Sequence, residues 1–136
     1  MIDHDSEFFT RIADVVHFQY PDAYVSDVYV SQPSRFPAIS IVEMDNSVYL
    51  PGRDSGAIEN YADVMYQVDV YSDSNIGRKS ECRAIMALVD DEFTRIGFAR
   101  TFMNPVQNMN NPSIYRITAR YRAVVSKNNV VYSSGR

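Results

Sequence analysis

The chain reads as one α+β domain over residues 1–136, an antiparallel or mixed sheet of about five strands with two helices on one face, in the order α-β-β-β-α-β-β. Three observations predict this. Residues alternate apolar and polar over Tyr61–Ser72 and again over Ile114–Ser126, the period of half-buried strands. Between them Cys82, Ile85, Val89, Phe93 and Ile96 fall at offsets of 0, 3, 7, 11 and 14, a single apolar stripe on a helix. No βαβ repeat with glycine-rich turns occurs, which argues against a nucleotide-binding doubly wound sheet.

Residues 3–19 predict the first helix, capped by Ser6 or Asp5, with acidic residues in its first turn and Phe8, Phe9, Ile12, Val15 and Val16 on its apolar side. Tyr20-Pro21 ends it, because the residue before proline is pushed out of the helical region. Ala23–Val30 alternates weakly and reads as a strand, Gln32–Arg35 as a turn, and Phe36–Glu43 as a buried strand. Residues 45–60 carry Asn46, Pro51-Gly52, Gly56 and Asn60 and read as a long loop, either a functional segment or a flexible hairpin tip. Tyr61–Ser72 is the third strand, Arg78–Ile96 the second helix, and Gly97 its stop. Phe98–Val106 and Ile114–Ser126 are the last long strands. Residues 127–136 form a polar tail in which Val130–Tyr132 adds a short edge strand.

The bulk numbers describe a folded chain large enough for one core, with 46% hydrophobic and 22% charged residues. No apolar run nears the about 20 residues that cross a bilayer, so no membrane partner is expected. The acidic start MIDHDSEFF lacks the basic and apolar regions of a signal peptide, and a cytosolic product is expected. Cys82, the one cysteine, allows no internal disulfide and reads as a buried structural thiol.

Little in the chain suggests chemistry. His4 lies in the start, where disorder is expected, and His17 near a helix end. Nothing has metal-ligand spacing, and no P-loop, GxSxG or GxGxxG occurs, so no catalytic, metal or cofactor site is expected. Asp90-Asp91-Glu92 points in three directions from a helix and reads as a solvated face. Asp63 and Asp69 share a strand face but lie roughly 20 Å apart, too far for paired acid–base work.

Charge is the more informative property. Residues 1–96 hold all 17 acidic residues and 7 basic ones, for −10, while residues 97–136 hold 6 basic residues and no acid, for +6. Either the two parts neutralise each other within one fold, or they make a two-signed molecule that docks copies head to side. Of the basic residues 11 are arginine and 2 lysine, a bias that suits protein contacts. Arg116, Arg120 and Arg122 share one side of the last long strand while its tyrosines point the other way, leaving the row without interleaved aromatics. Three uses of the row are open: a solvated sheet face with cross-strand ion pairs to residues such as Asp69, a protein–protein interface, or a nucleic-acid contact. The acidic balance, with a pI near 5.0, weighs against the third.

The segments YQVDVYS, GRKSECRAIMALVDDEF, GFARTFMNPVQN and IYRITARYRAVV, in this order within residues 61–126, resemble the tail terminator or tail-completion proteins of long-tailed bacteriophages and prophages. The resemblance implies a non-enzymatic virion protein of the tail and neck, assembled in the host cytoplasm. It implies self-association into a ring, a hexamer in that family, that caps the tail tube and docks the head connector. Its partners would be the tube protein and the connector, with DNA passing through the lumen unbound. On this reading Arg116, Arg120, Arg122, Arg53 and Asp54 form the candidate subunit or tube interface. A head-completion or connector adaptor is the alternative within the same particle, and a small nucleic-acid-binding or regulatory module the alternative of another class.

Overall fold

The computed structural model describes residues 1–48, 61–107, 111–128 and 131–133, with Tyr132 and Ser133 described by their backbone. Helix α1 (Asp5–Gln19) is followed by β1 (Tyr24–Ser26), β2 (Ala38–Val48), β3 (Tyr61–Ser72), α2 (Arg78–Ile96), β4 (Ala99–Val106), β5 (Tyr115–Ser126) and β6 (Val131–Ser133). The expected α+β order holds. The strands form one mixed sheet in the order β1-β2-β3-β5-β4, and β6 pairs with β5. Strand β1 runs parallel to β2, and every other pairing is antiparallel. Strands β3 and β5 sit side by side at the centre through twelve matched pairs, from Tyr61 opposite Ser126 to Ser72 opposite Tyr115.

Four local expectations are corrected. Helix α1 begins at His4 rather than at a Ser6 or Asp5 cap. Tertiary partners claim the polar groups there. His4 Nε2 donates to the carbonyl of Ser126 at 3.1 Å, so this residue is anchored rather than disordered, and Asp5 Oδ1 accepts the Tyr66 hydroxyl at 2.6 Å. Strand β1 spans three residues instead of eight, because the Ser26 hydroxyl bonds both the N–H and the C=O of Val28 and turns the chain. Strand β2 runs on through Asp45–Val48, which was expected in the loop: a bulge between Glu43 and Asp45 lets it stay paired with Met65–Ala62 of β3. The remainder of that loop, with Arg53 and Asp54, lies outside the described residues. The fourth concerns the carboxylate run of α2. Asp91 is exposed as expected, but Glu92 is buried, paired with Arg11 of α1 at 3.0 Å and Arg95 at 2.7 Å.

Helix α2 ends where glycine predicts. Gly97 has φ 119°, in the left-handed region, and its N–H caps the carbonyls of Phe93 and Thr94. A Cβ there would also lie 3.1 Å from Val131 Cγ1 and 3.3 Å from the Val131 carbonyl, so a side chain at this position would push on β6.

The core lies between the helices and one sheet face. Ile39 and Ile41 of β2, Val64, Tyr66, Val68 and Val70 of β3, and Ile117, Ala119, Tyr121 and Ala123 of β5 meet Phe8, Ile12 and Val16 of α1 and the stripe of α2. At its centre Phe93 stacks on Tyr121 with centroids 4.4 Å apart and meets the edges of Phe98 at 5.1 Å. The two tyrosines of this core keep a polar outlet, Tyr66 to Asp5 and Tyr121 to Asp90 at 2.9 Å. Burial first, and then those carboxylates, push both phenols above the ordinary tyrosine range.

Cys82 is fully buried on the stripe, its Sγ 3.6 Å from the Val70 carbonyl and 3.5 Å from that of Tyr115. Burial, aided by the charge of Glu81, pushes its pKa from 9.0 up to about 12. A group whose folded pKa is raised favours folding while neutral. Its contribution is complete below pH 9 and is lost as pH climbs toward 12. The thiol should therefore label with a thiol reagent at neutral pH only at the rate of unfolding, and urea midpoints should fall between pH 9 and 11. Burst labelling of native protein would contradict this burial.

Candidate interaction surface

Side chains alternate across a strand, so the residues of β3 and β5 that do not face the helices share the opposite face of the sheet. Register then decides which of them meet. Asp69 lies opposite Thr118 and Ser40, Gln67 opposite Arg120, and Met65 opposite Arg122. This places the three arginines of the row on one face with the carboxylates of β3, and each finds a partner there.

Arg116 donates through Nε and Nη2 to Asp69 Oδ1 at 3.0 and 2.9 Å. Thr118 donates to the same oxygen, and Gln67 Nε2 donates to Oδ2 at 3.1 Å. Asp69 is thus a buried carboxylate held by four donors. Burial alone would lower the pKa of Arg116, but the charge and hydrogen bonds of Asp69 outweigh it and raise the pKa. Arg122 Nη2 meets Asp63 Oδ2 at 2.9 Å. Arg120 differs: its Nε donates to the neutral Gln67 Oε1 at 3.1 Å, and its side chain stands in solvent.

The row does have aromatic neighbours, contrary to the expectation from its own strand. Arg116 lies over the rings of Tyr71 at 5.5 Å and Tyr29 at 5.6 Å, and Arg120 over Phe102 at 5.4 Å. These rings come from β3, from the β1–β2 connection and from β4, which no periodicity within β5 could reveal. The connection carrying Tyr29 reaches across this face. Ser40, Asp69, Tyr71 and Thr118 are buried on it, while Arg120, Phe102 and Asn104 stay exposed. Buried side-chain oxygens of Ser40 and Asp63 that lack a hydrogen-bond partner among the described residues also belong to this face.

Three of the six basic residues in 97–136 are neutralised within the fold. Arg100 pairs with Asp90 at 3.3 Å, Arg116 with Asp69 and Arg122 with Asp63, each joining the basic end of the chain to its acidic part. Of the candidate interface arginines, Arg120 alone among the described residues both stands in solvent and has an amide in place of a carboxylate. Sequence periodicity found the row but missed Gln67, Phe102 and Tyr29. The polar alternation of β3 is a signal for Gln67, β-register is needed for Phe102, and the path of the β1–β2 connection for Tyr29.

The β4 edge is blunted by a bulge at Thr101 and a proline at 105, while on the other side β1 covers only Ala38–Ser40 of β2. A groove of about 210 Å³ between α2 and β4 holds Arg83, Asp90, Asp91 and Arg100, charges of both signs side by side. Among the described residues no group of three or more His, Cys, Asp or Glu is placed to hold a metal, and no helix is long and apolar enough to cross a membrane. No family model matches the sequence, and no curated protein matches it.

Proposed function

We propose that this chain is a structural subunit of a long-tailed phage or prophage particle, a tail terminator or tail-to-head joining protein that works as a ring on the end of the tail tube. The observation that carries the reading is the open sheet face. A solvent-facing arginine stacked on a half-exposed phenylalanine, beside a charge-balanced polar network, suits contact with another protein. The resemblance over residues 61–126 supports it, since those residues supply β3, α2, β4 and β5, the central part of the fold. The head-completion adaptor would need a ring of the same kind, and the tube protein separates the two.

The test is assembly. By size-exclusion chromatography with light scattering, the protein should run as a closed oligomer, or become one on adding a tail tube protein from the same particle. Negative-stain images should show rings, and growing tubes should stop lengthening when the protein is added. A monomer that leaves tube length unchanged would overturn the proposal, and rings that ignore the tube would favour the adaptor.

A further inference from the structure

We infer that copies join face to back, the outer stripe of α1 in one copy docking on the open sheet face of the next, around Arg120. This rests on the self-assembly proposed above and names its surfaces. Helix α1 buries Phe8, Ile12 and Val16 against the sheet. Its outer side carries Glu7, Arg11, Asp14 and Phe18, spaced four, three and four residues apart and therefore on one stripe, all exposed. Arg11 turns aside to Glu92. What remains is two carboxylates and a phenylalanine that is 87% exposed.

The sheet face offers the complement. Arg120 meets a neutral amide, so a neighbour's carboxylate would find an uncompensated cation there, and Phe102, 38% exposed, supplies an apolar platform beside it. Helix layer and open sheet face lie on opposite sides of the domain. A contact between them uses two different patches, and such a heterologous interface repeats until a ring closes.

The variants F18E and R120E test both the surfaces and their polarity. Each changes an exposed side chain, so circular dichroism should match the parent. Each should lose the parent's oligomer and run near the 15.5 kDa of one chain. Mixed in equal amounts they should give a species of two chains and no larger, because the intact α1 of R120E fits the intact sheet face of F18E while the opposite ends repel. If either variant fails to fold, R120Q or F18S takes its place and should weaken association about tenfold. A parent that assembles while both variants assemble equally well overturns these surfaces and leaves self-assembly standing. Variants that are monomeric alone and remain monomeric when mixed overturn the face-to-back polarity. A parent that is monomeric at every concentration, with and without tube protein, removes self-assembly itself and this inference with it.

Discussion

Replacing Asp69 by alanine is expected to cost about 3–5 kcal/mol, the range for removing one partner of a buried ion pair. Its carboxylate is 2% exposed and the Arg116 side chain 18%, so water cannot replace what is lost. Arg116, Thr118 and Gln67 would all lose an acceptor at once. Most of that cost is the stranded arginine, so D69L/R116M, which removes both charges, should recover most of the loss. Urea unfolding of D69A, D69L, R116M and D69L/R116M measures this directly. A loss below about 1 kcal/mol in D69A would mean that the network behaves like a surface pair. The same cycle bears on function, because reversing Arg116, Arg120 and Arg122 together would break two internal ion pairs along with any interface. Arg120 is the member of the row whose charge can be changed without breaking an ion pair.

The second large effect is expected at Phe93. Phe93→Ala should destabilise by about 3–5 kcal/mol, because the ring is fully buried and the aromatic shell around it cannot collapse into the space. Tyr66 at 5.7 Å, Phe98 at 5.1 Å and Tyr121 at 4.4 Å all lose a neighbour. Phe102→Ala, on the outer side of the same sheet, should stay within about 0.5 kcal/mol of the parent. Urea midpoints at constant slope give both numbers. A small loss at Phe93 or a large one at Phe102 would mean that the sheet's inner and outer faces are wrongly assigned. The pair of results also separates stability from assembly, since Phe102 is inferred to matter only when copies meet.

The helix stripe from Cys82 to Phe93, the twelve-residue strand Tyr61–Ser72 and the glycine stop at Gly97 were legible because each is written in spacing along the chain. Periodicity is a local property, and a stripe three to four residues wide admits one solution. The ends of elements were less legible where a distant group decides them. Asp5 left its cap role for Tyr66, sixty-one residues away, and Asp45–Val48 stayed in a strand because β3 was long enough to pair with it. Glu92 sat in a run of acids that looked solvated, yet α1 brings Arg11 over it.

For the arginine row the division is sharper. That Arg116, Arg120 and Arg122 share one side of a strand follows from a period of two and needs no partner. That two of them are spent on Asp69 and Asp63, and that Arg120 faces outward on Phe102, depends on the register of β5 against β3 and β4, which adjoin it only after α2 has carried the chain across the sheet. Local periodicity settles which residues share a face, because it is geometry within one segment. Pairing between segments distant in sequence settles which charges remain to be used, because an ion pair is decided by the few ångströms that only the folded sheet supplies.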